Sequence, residues 1–175
     1  MSGFAVRPAG RNDLAAIAAI YAHHVRTGTA SFEIEPPDAA EMERRWREVI
    51  DRGLPYFVAV ASAEVVGYAY AGPYRPRPAY RFTVEDSVYV HADFARRGIG
   101  AMLLAALLST CERAGARQMI AVIGDSANAA SIQLHAAAGF VQFGVMASVG
   151  WKFQRWLDVV LMQRSLGPGD TLPPG

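Results

Sequence analysis

Residues 88–104 read Val-Tyr-Val-His-Ala-Asp-Phe-Ala-Arg-Arg-Gly-Ile-Gly-Ala-Met-Leu-Leu. The pattern is the end of a β-branched, aromatic strand, a short polar loop carrying two arginines, and a Gly-x-Gly step into an apolar helix. A helix N-terminus leaves backbone N–H groups without partners and carries the positive end of the macrodipole, which suits an anion. Glycine at 98 and 100 removes Cβ atoms that would hold a bulky anion away from those amides. Arg96 and Arg97 add formal charge at the same place. The stretch therefore reads as a site for a phosphate-bearing ligand. It is neither of two common kinds: no G-x-x-x-x-G-K-S/T string exists in the chain, and a dinucleotide fingerprint fails at Leu103.

The frame Ala95-Arg96-Arg97-Gly98-Ile99-Gly100 resembles the pyrophosphate loop Gln/Arg-x-x-Gly-x-Gly/Ala of the GNAT superfamily of N-acetyltransferases, with Ala95 in place of the usual first residue. The resemblance implies acetyl-CoA as co-substrate, its pyrophosphate on the amides of Arg96, Arg97, Gly98, Ile99, Gly100 and Ala101. Its pantetheine would lie along Val88, Tyr89 and Val90 as an added strand. A second segment, running from Asn128 to Phe140, looks like the superfamily's N-x-x-S/A-x-x-L-Y-x-x-x-G-F. It implies that Asn128 and Ser131 hold the pantetheine arm. His135 stands where many relatives carry a tyrosine as general acid. Outside that motif, a histidine on an alanine-rich helix reads simply as a half-buried polar residue.

A third constellation, residues 75–90 with Val122-Ile123-Gly124 and residues 150–159, resembles the phosphinothricin and methionine sulfone/sulfoximine acetyltransferase branch. That branch acetylates the α-amine of small amino-acid analogues. The likeness implies acceptor contacts from Arg75, Pro76, Arg77, Arg81, Phe32 and Gly124. Guanidinium forks pair well with carboxylate or phosphinate oxygens, and Pro73, Pro76 and Pro78 stiffen the loop that carries them. In the same likeness Glu85 is the general base, and chemistry explains the need, because only the neutral amine attacks a thioester. Asp86 leaves the strand on the opposite face and is the weaker candidate. The implied reaction is direct transfer in a ternary complex, with a strand N–H near Val88 or Tyr89 stabilising the oxyanion.

These residues need a frame. Residues 4–7 read as a strand, followed by a helix capped by Asn12 or Asp13 with Leu14, Ile17, Ile20, Tyr21 and Val25 inward. After a connection over 27–37 containing Phe32, Asp38 caps a second helix with Met42, Trp46 and Ile50 inward, ended by Gly53. Strands follow at 56–61, 65–71 and 82–91, then the Gly-x-Gly helix to Ala114, a strand at 119–123, a helix at 128–138, and strands at 140–146 and 156–163. The order β-α-α-β-β-β-α-β-α-β-β is that of the GNAT fold. It implies an α/β (α+β) domain over 1–166: a mixed, largely antiparallel twisted sheet of about six to seven strands, splayed in the middle and flanked by about four helices. A Gly/Pro-rich tail, 167–175, is expected to fray.

Composition sets outer limits. The 175 residues are 52% hydrophobic and 19% charged, with net charge +1, so disorder is excluded and nothing draws the whole chain to nucleic acid. No apolar run is long enough for a membrane span, and residues 1–11 lack a signal-peptide core. Cys111, the single cysteine, lies at helical spacing from Leu104, Leu107 and Leu108 and reads as core. His23, His24, His91 and His135 show no ligand spacing beyond the adjacent pair, so no metal is expected. The expectation is a cytoplasmic enzyme with a small-molecule amine substrate and no nucleic-acid or membrane partner, a homodimer by resemblance. Two other readings remain open: a GNAT enzyme for a protein N-terminus or polyamine, and a non-catalytic acyl-CoA sensor. The basic loop 72–81 counts against a polyamine.

Overall fold

The computed structural model describes residues 3–174. Seven strands and four helices follow the expected order: β1 (Ala5–Pro8), α1 (Leu14–Thr27), α2 (Ala39–Asp51), β2 (Tyr56–Ala61), β3 (Glu64–Pro73), β4 (Thr83–Val90), α3 (Ile99–Arg113), β5 (Gln118–Gly124), α4 (Ala129–Ala137), β6 (Val141–Lys152) and β7 (Arg155–Ser165). The strands form one sheet in the order β1-β2-β3-β4-β5-β7-β6. Every pairing is antiparallel except β4 with β5.

That exception shapes the molecule. β4 and β5 pair only at Thr83↔Gln118, Val84↔Met119 and Glu85↔Ile120. Beyond Glu85, β4 stays with β3 as far as Val90↔Gly67, while β5 stays with β7 as far as Gly124↔Val159. The sheet therefore splits between its two central strands, as expected, and the split begins at Glu85.

α3 covers one face, burying Ile99, Leu103, Leu104, Leu107, Leu108 and Cys111 against Val66, Ala69, Val84 and Met119. α1 and α2 cover the other, with Ile17, Ile20, Tyr21 and Val25 packed on Tyr56, Val58 and Tyr68. Burying apolar stripes on both faces of a sheet supplies most of the folding drive. Asp38 caps α2 by accepting from the Glu41 amide at 2.8 Å. Asp13 does something else: its carboxylate accepts from Arg7 at 2.7 and 2.8 Å and from the Gly10 amide at 2.8 Å, fixing the turn before α1 rather than the helix itself.

Two expectations are corrected. In α2 Val49, not Ile50, faces inward, because the helix rotates so that Met42 and Val49 share one stripe. β6 does not stop at 146 but runs to Lys152. A bulge between Met146 and Gly150, with Ser148 in the left-handed region, lets the strand continue past that point. After β7, Leu166 is buried, and the Arg117 guanidinium donates to the Gly169 and Pro173 carbonyls.

Candidate active site

Gly98 precedes α3 with φ 81°, and Arg96 also lies in the left-handed region at φ 61°. Such residues curl a loop so that its amides converge on one point. The first helical bond runs from Met102 N to Gly98 O at 3.1 Å, which leaves the N–H groups of Ile99, Gly100 and Ala101 facing out of the helix end. A cleft of about 740 Å³ opens there and follows β4. Val88, Tyr89, Val90, Arg96, Gly98, Ile99, Gly100, Ala101, Asn128 and Ser131 all border it, as the sequence reading grouped them. Arg97 does not: its guanidinium lies over the Phe94 ring, 5.0 Å from the centroid.

The backbone of β4 can be oriented from its neighbours. His91 N donates to Val66 O and Thr83 O accepts from Tyr74 N, both on the β3 side. Alternation then turns the N–H and C=O groups of Asp86, Val88 and Val90 toward the split. Of the two expected oxyanion donors, Val88 faces the gap and Tyr89 faces β3. The Val90 carbonyl accepts from His24 Nε2 at 2.8 Å. Burial holds the His24 pKa below its ordinary value, consistent with a neutral ring that donates from Nε2. His24 and the Gly28-Thr29-Ala30 segment border the cleft but carried no sequence signal, since both belong to elements far away in the chain.

Where the split begins, a smaller pocket of about 150 Å³ lies between Glu85, Asp86, Val88, Ala30, Val122, Gly124, Asn128, Ser131 and His135. Glu85 is half-buried there, and burial together with the adjacent Asp86 charge pushes its carboxyl up to about 7, against a smaller opposing pull from Arg75. Such a carboxyl titrates near neutral pH, as a proton acceptor must.

His135 is more enclosed than expected. Nε2 lies 2.9 Å from Asp86 Oδ2 and Nδ1 lies 2.8 Å from the Ser131 carbonyl, with 5% of its side chain exposed. Burial pulls its pKa down, but the Asp86 hydrogen bond and charge outweigh this, and the net direction is up. Both ring nitrogens are engaged within the protein. Asp86, set aside from sequence, is therefore the partner of His135. Strand alternation placed Asp86 on the far face but could not say what waits there. Cys111 lies in the same interior, its thiol pushed up to about 12 by burial and by Asp86.

Phe32 is wedged between two glycines. A Cβ at Gly124 would lie 2.2 Å from Thr29 O and 2.9 Å from the ring, and one at Gly150 would lie 2.2 Å from the ring. Lys152, buried in β6, donates to the Gly28 and Ser31 carbonyls at 2.9 and 2.7 Å and so ties this connection down. Arg75, Pro76, Arg77 and Arg81 border neither cavity and are exposed. Arg75 stacks over Tyr74, while Arg81 stacks over Phe82 and donates to Pro78 O. Among the described residues no cluster of three or more His, Cys, Asp or Glu side chains could hold a metal ion.

A split mixed sheet, a helix-end anion loop and a carboxyl at the split define an acyl-CoA-dependent transferase. The Acetyltransferase (GNAT) family model matches residues 17–140, and the chain belongs to that family, whose members use acetyl-CoA. Within it, the chain is 59% identical to the phosphinothricin N-acetyltransferase of Alcaligenes faecalis, over 97% of this chain and 86% of that one. It is 43% identical to the L-methionine sulfoximine/L-methionine sulfone acetyltransferase of Pseudomonas aeruginosa, over 96% and 98%. The crystal structure of a GNAT phosphinothricin acetyltransferase from Sinorhizobium meliloti, in complex with acetyl-CoA, superposes with a TM-score of 0.96 at 44% identity, covering 100% of this chain and 94% of that one. The protein is an N-acetyltransferase.

Proposed function

We propose that the enzyme transfers the acetyl group of acetyl-CoA to the α-amine of a small amino-acid analogue bearing tetrahedral phosphorus or sulfur oxygens. Phosphinothricin, methionine sulfone and methionine sulfoximine are of this type. The observation that carries the reading is Glu85, raised to about 7, at the point where β4 and β5 part. The amides of Arg96 to Ala101 take the pyrophosphate, and the turned-out groups of Val88 and Val90 take the pantetheine. Glu85 removes the amine proton, directly or through a water, and the amine attacks the thioester carbonyl. The Val88 N–H stabilises the oxyanion. Bond formation at nitrogen and cleavage of the C–S bond complete the transfer without an acyl-enzyme. For His135 to protonate the departing thiolate, it must release its contact with Asp86.

Arg75 is the residue we assign to the acceptor's oxygens, because its charge already acts on Glu85. Arg77, Arg81 and Pro76 would contribute only through movement of their loop, and Phe32 with Gly124 forms the wall opposite. The exposed apolar row of β6 and the following hairpin, including Val141, Phe143, Val149, Trp151 and Trp156, supports a homodimer through this edge. We further propose one catalytic domain over 1–166, working in the cytoplasm. Among the described residues no helix is long and apolar enough to cross a membrane.

The test is thiol release from acetyl-CoA with methionine sulfone, methionine sulfoximine, phosphinothricin and norleucine. Norleucine has a similar length and no sulfone oxygens. The oxygen-bearing acceptors should show the higher kcat/KM, and Arg75→Ala should raise their KM while sparing that of acetyl-CoA. Equal kcat/KM for methionine sulfone and norleucine would remove the oxygen-recognition reading.

A further inference from the structure

Glu85 and Asp86 are consecutive residues of β4, so their side chains leave the strand on opposite faces. Behind the strand, Asp86 and His135 are closed off from solvent, with 2% and 5% of their side chains exposed. The Ser131 carbonyl can only accept, so His135 Nδ1 carries a hydrogen and donates to it at 2.8 Å. The 2.9 Å contact between Nε2 and Asp86 Oδ2 then holds a single proton. Asp86 Oδ1 is buried and has no partner among the described residues. Among the described residues His135 is thus the one group that meets the Asp86 carboxylate by hydrogen bond, and the charge of each is tied to the proton they share.

We propose that Asp86, locked to His135, is a positioning residue of the acetyl transfer: as the carboxylate of an ion pair buried behind β4, it governs when Glu85 gives up its proton. The proposal rests on Glu85 as the base. The negative end of the pair lies next to Glu85 along the chain, and the imidazolium lies beyond it. The two carboxyl groups belong to consecutive residues, one buried and one half-buried, so water screens them less than it would at a surface. This second charge adds to burial in raising Glu85.

The other groups around Glu85 do not duplicate this effect. Arg75, from the loop after β3, acts in the opposite direction. Tyr70 of β3 lies beyond Ser87, near the Glu33–Arg45 ion pair of the neighbouring connection and α2. β5 contributes Ala121, Val122 and Ile123 to the pocket wall, none of which titrates. Around the pair itself, α3 supplies Cys111, α4 supplies Ser131, and the Phe140 ring stands edge-on to His135 at 5.0 Å.

The deciding experiment is the pH profile of kcat/KM, by thiol release with methionine sulfone, for wild type, E85Q, D86N and H135Q. The acceptor's own ammonium titration is common to all four. E85Q should abolish the acid limb near pH 7. If it leaves the limb intact, the assignment of Glu85 fails, whatever the other variants do. In D86N the amide keeps its shape and donates to the Nε2 lone pair, so the contact survives while the charge pair is lost. Its limb should move down by roughly half a pH unit or more. In H135Q a neutral donor replaces the imidazolium beside Asp86, and the limb should move up. Opposite shifts are what a purely structural role would not produce. If E85Q abolishes the limb and D86N leaves it in place, Asp86 has no part in setting it and the inference is overturned. Should D86N fail to fold, H135Q decides: an unmoved or lowered limb overturns the inference as well.

Discussion

Gly150→Ala offers a strong test of the acceptor wall. The added Cβ would lie 2.2, 2.6 and 2.9 Å from three atoms of the Phe32 ring. Carbon atoms rest at about 3.5 Å or more, so the ring must retreat by roughly 1.3 Å. Its opposite edge already faces Gly124, lying 2.9 Å from where a Cβ there would stand, so retreat straight across is limited. The connection carrying it must lift against the Lys152 hydrogen bonds and the Tyr21–Ser31 contact at 2.9 Å. Overpacking of this kind costs about 1–3 kcal/mol. For a chain of this size that lowers Tm by roughly 2–4 °C per kcal/mol. Phe32→Ala removes the ring, and because Phe32 is only half-buried its cost should be about 2 kcal/mol, below the range for full burial. In the double variant the new methyl group enters the vacated space, so the two costs should not add. A coupling of about 1 kcal/mol or more is expected from urea unfolding. Gly28, Thr29 and Ala30 border the cleft, so Gly150→Ala should also raise KM, and the double variant should recover part of the loss in stability. A Gly150→Ala protein as stable as wild type, or strictly additive costs, would refute the wedge.

Two further outcomes follow from local geometry. Gly98→Ala places a side chain at φ 81°, costing about 1–2 kcal/mol, and should weaken acetyl-CoA binding by calorimetry as the loop relaxes; an unchanged Kd would sink the loop assignment. Asp13 is held below its ordinary carboxylate pKa, chiefly by its hydrogen bonds to Arg7, with the Gly10 amide assisting against burial. A lowered folded pKa means this stabilisation is present above the unfolded value and lost as pH falls through the folded one. Asp13→Asn should therefore cost about 1–2 kcal/mol at pH 7, tempered by the exposure of Arg7, with the gap closing only below about pH 4; a gap that stays constant into acid would contradict the ion pair.

The elements that read clearly from the chain are those whose signals are local. β2 begins and ends where alternation and the Gly53 stop placed it, and α3 begins at the Gly-x-Gly step. β6 reads short from sequence because its bulge between Met146 and Gly150 looks the same as a strand end until its partner β7 is known. Arg75, Arg77 and Arg81 had the chemistry for oxygen recognition. Nothing in the loop's composition could say that Arg81 would stack on its own neighbour Phe82.

Sequence alone determined the order of the strands and helices, the Gly-x-Gly start of α3 and the face from which Glu85 leaves its strand. Each depends on interactions within a few residues, where period, capping and glycine conformation are legible. Tertiary structure alone decided where the sheet splits, because that depends on β4 and β5 sharing just three residue pairs. It also decided what meets across the interior. Asp86 bonds a histidine 49 residues away, and Phe32 seats between glycines of two other strands. Alternation along a strand says which face a side chain takes, and only packing says what stands opposite it.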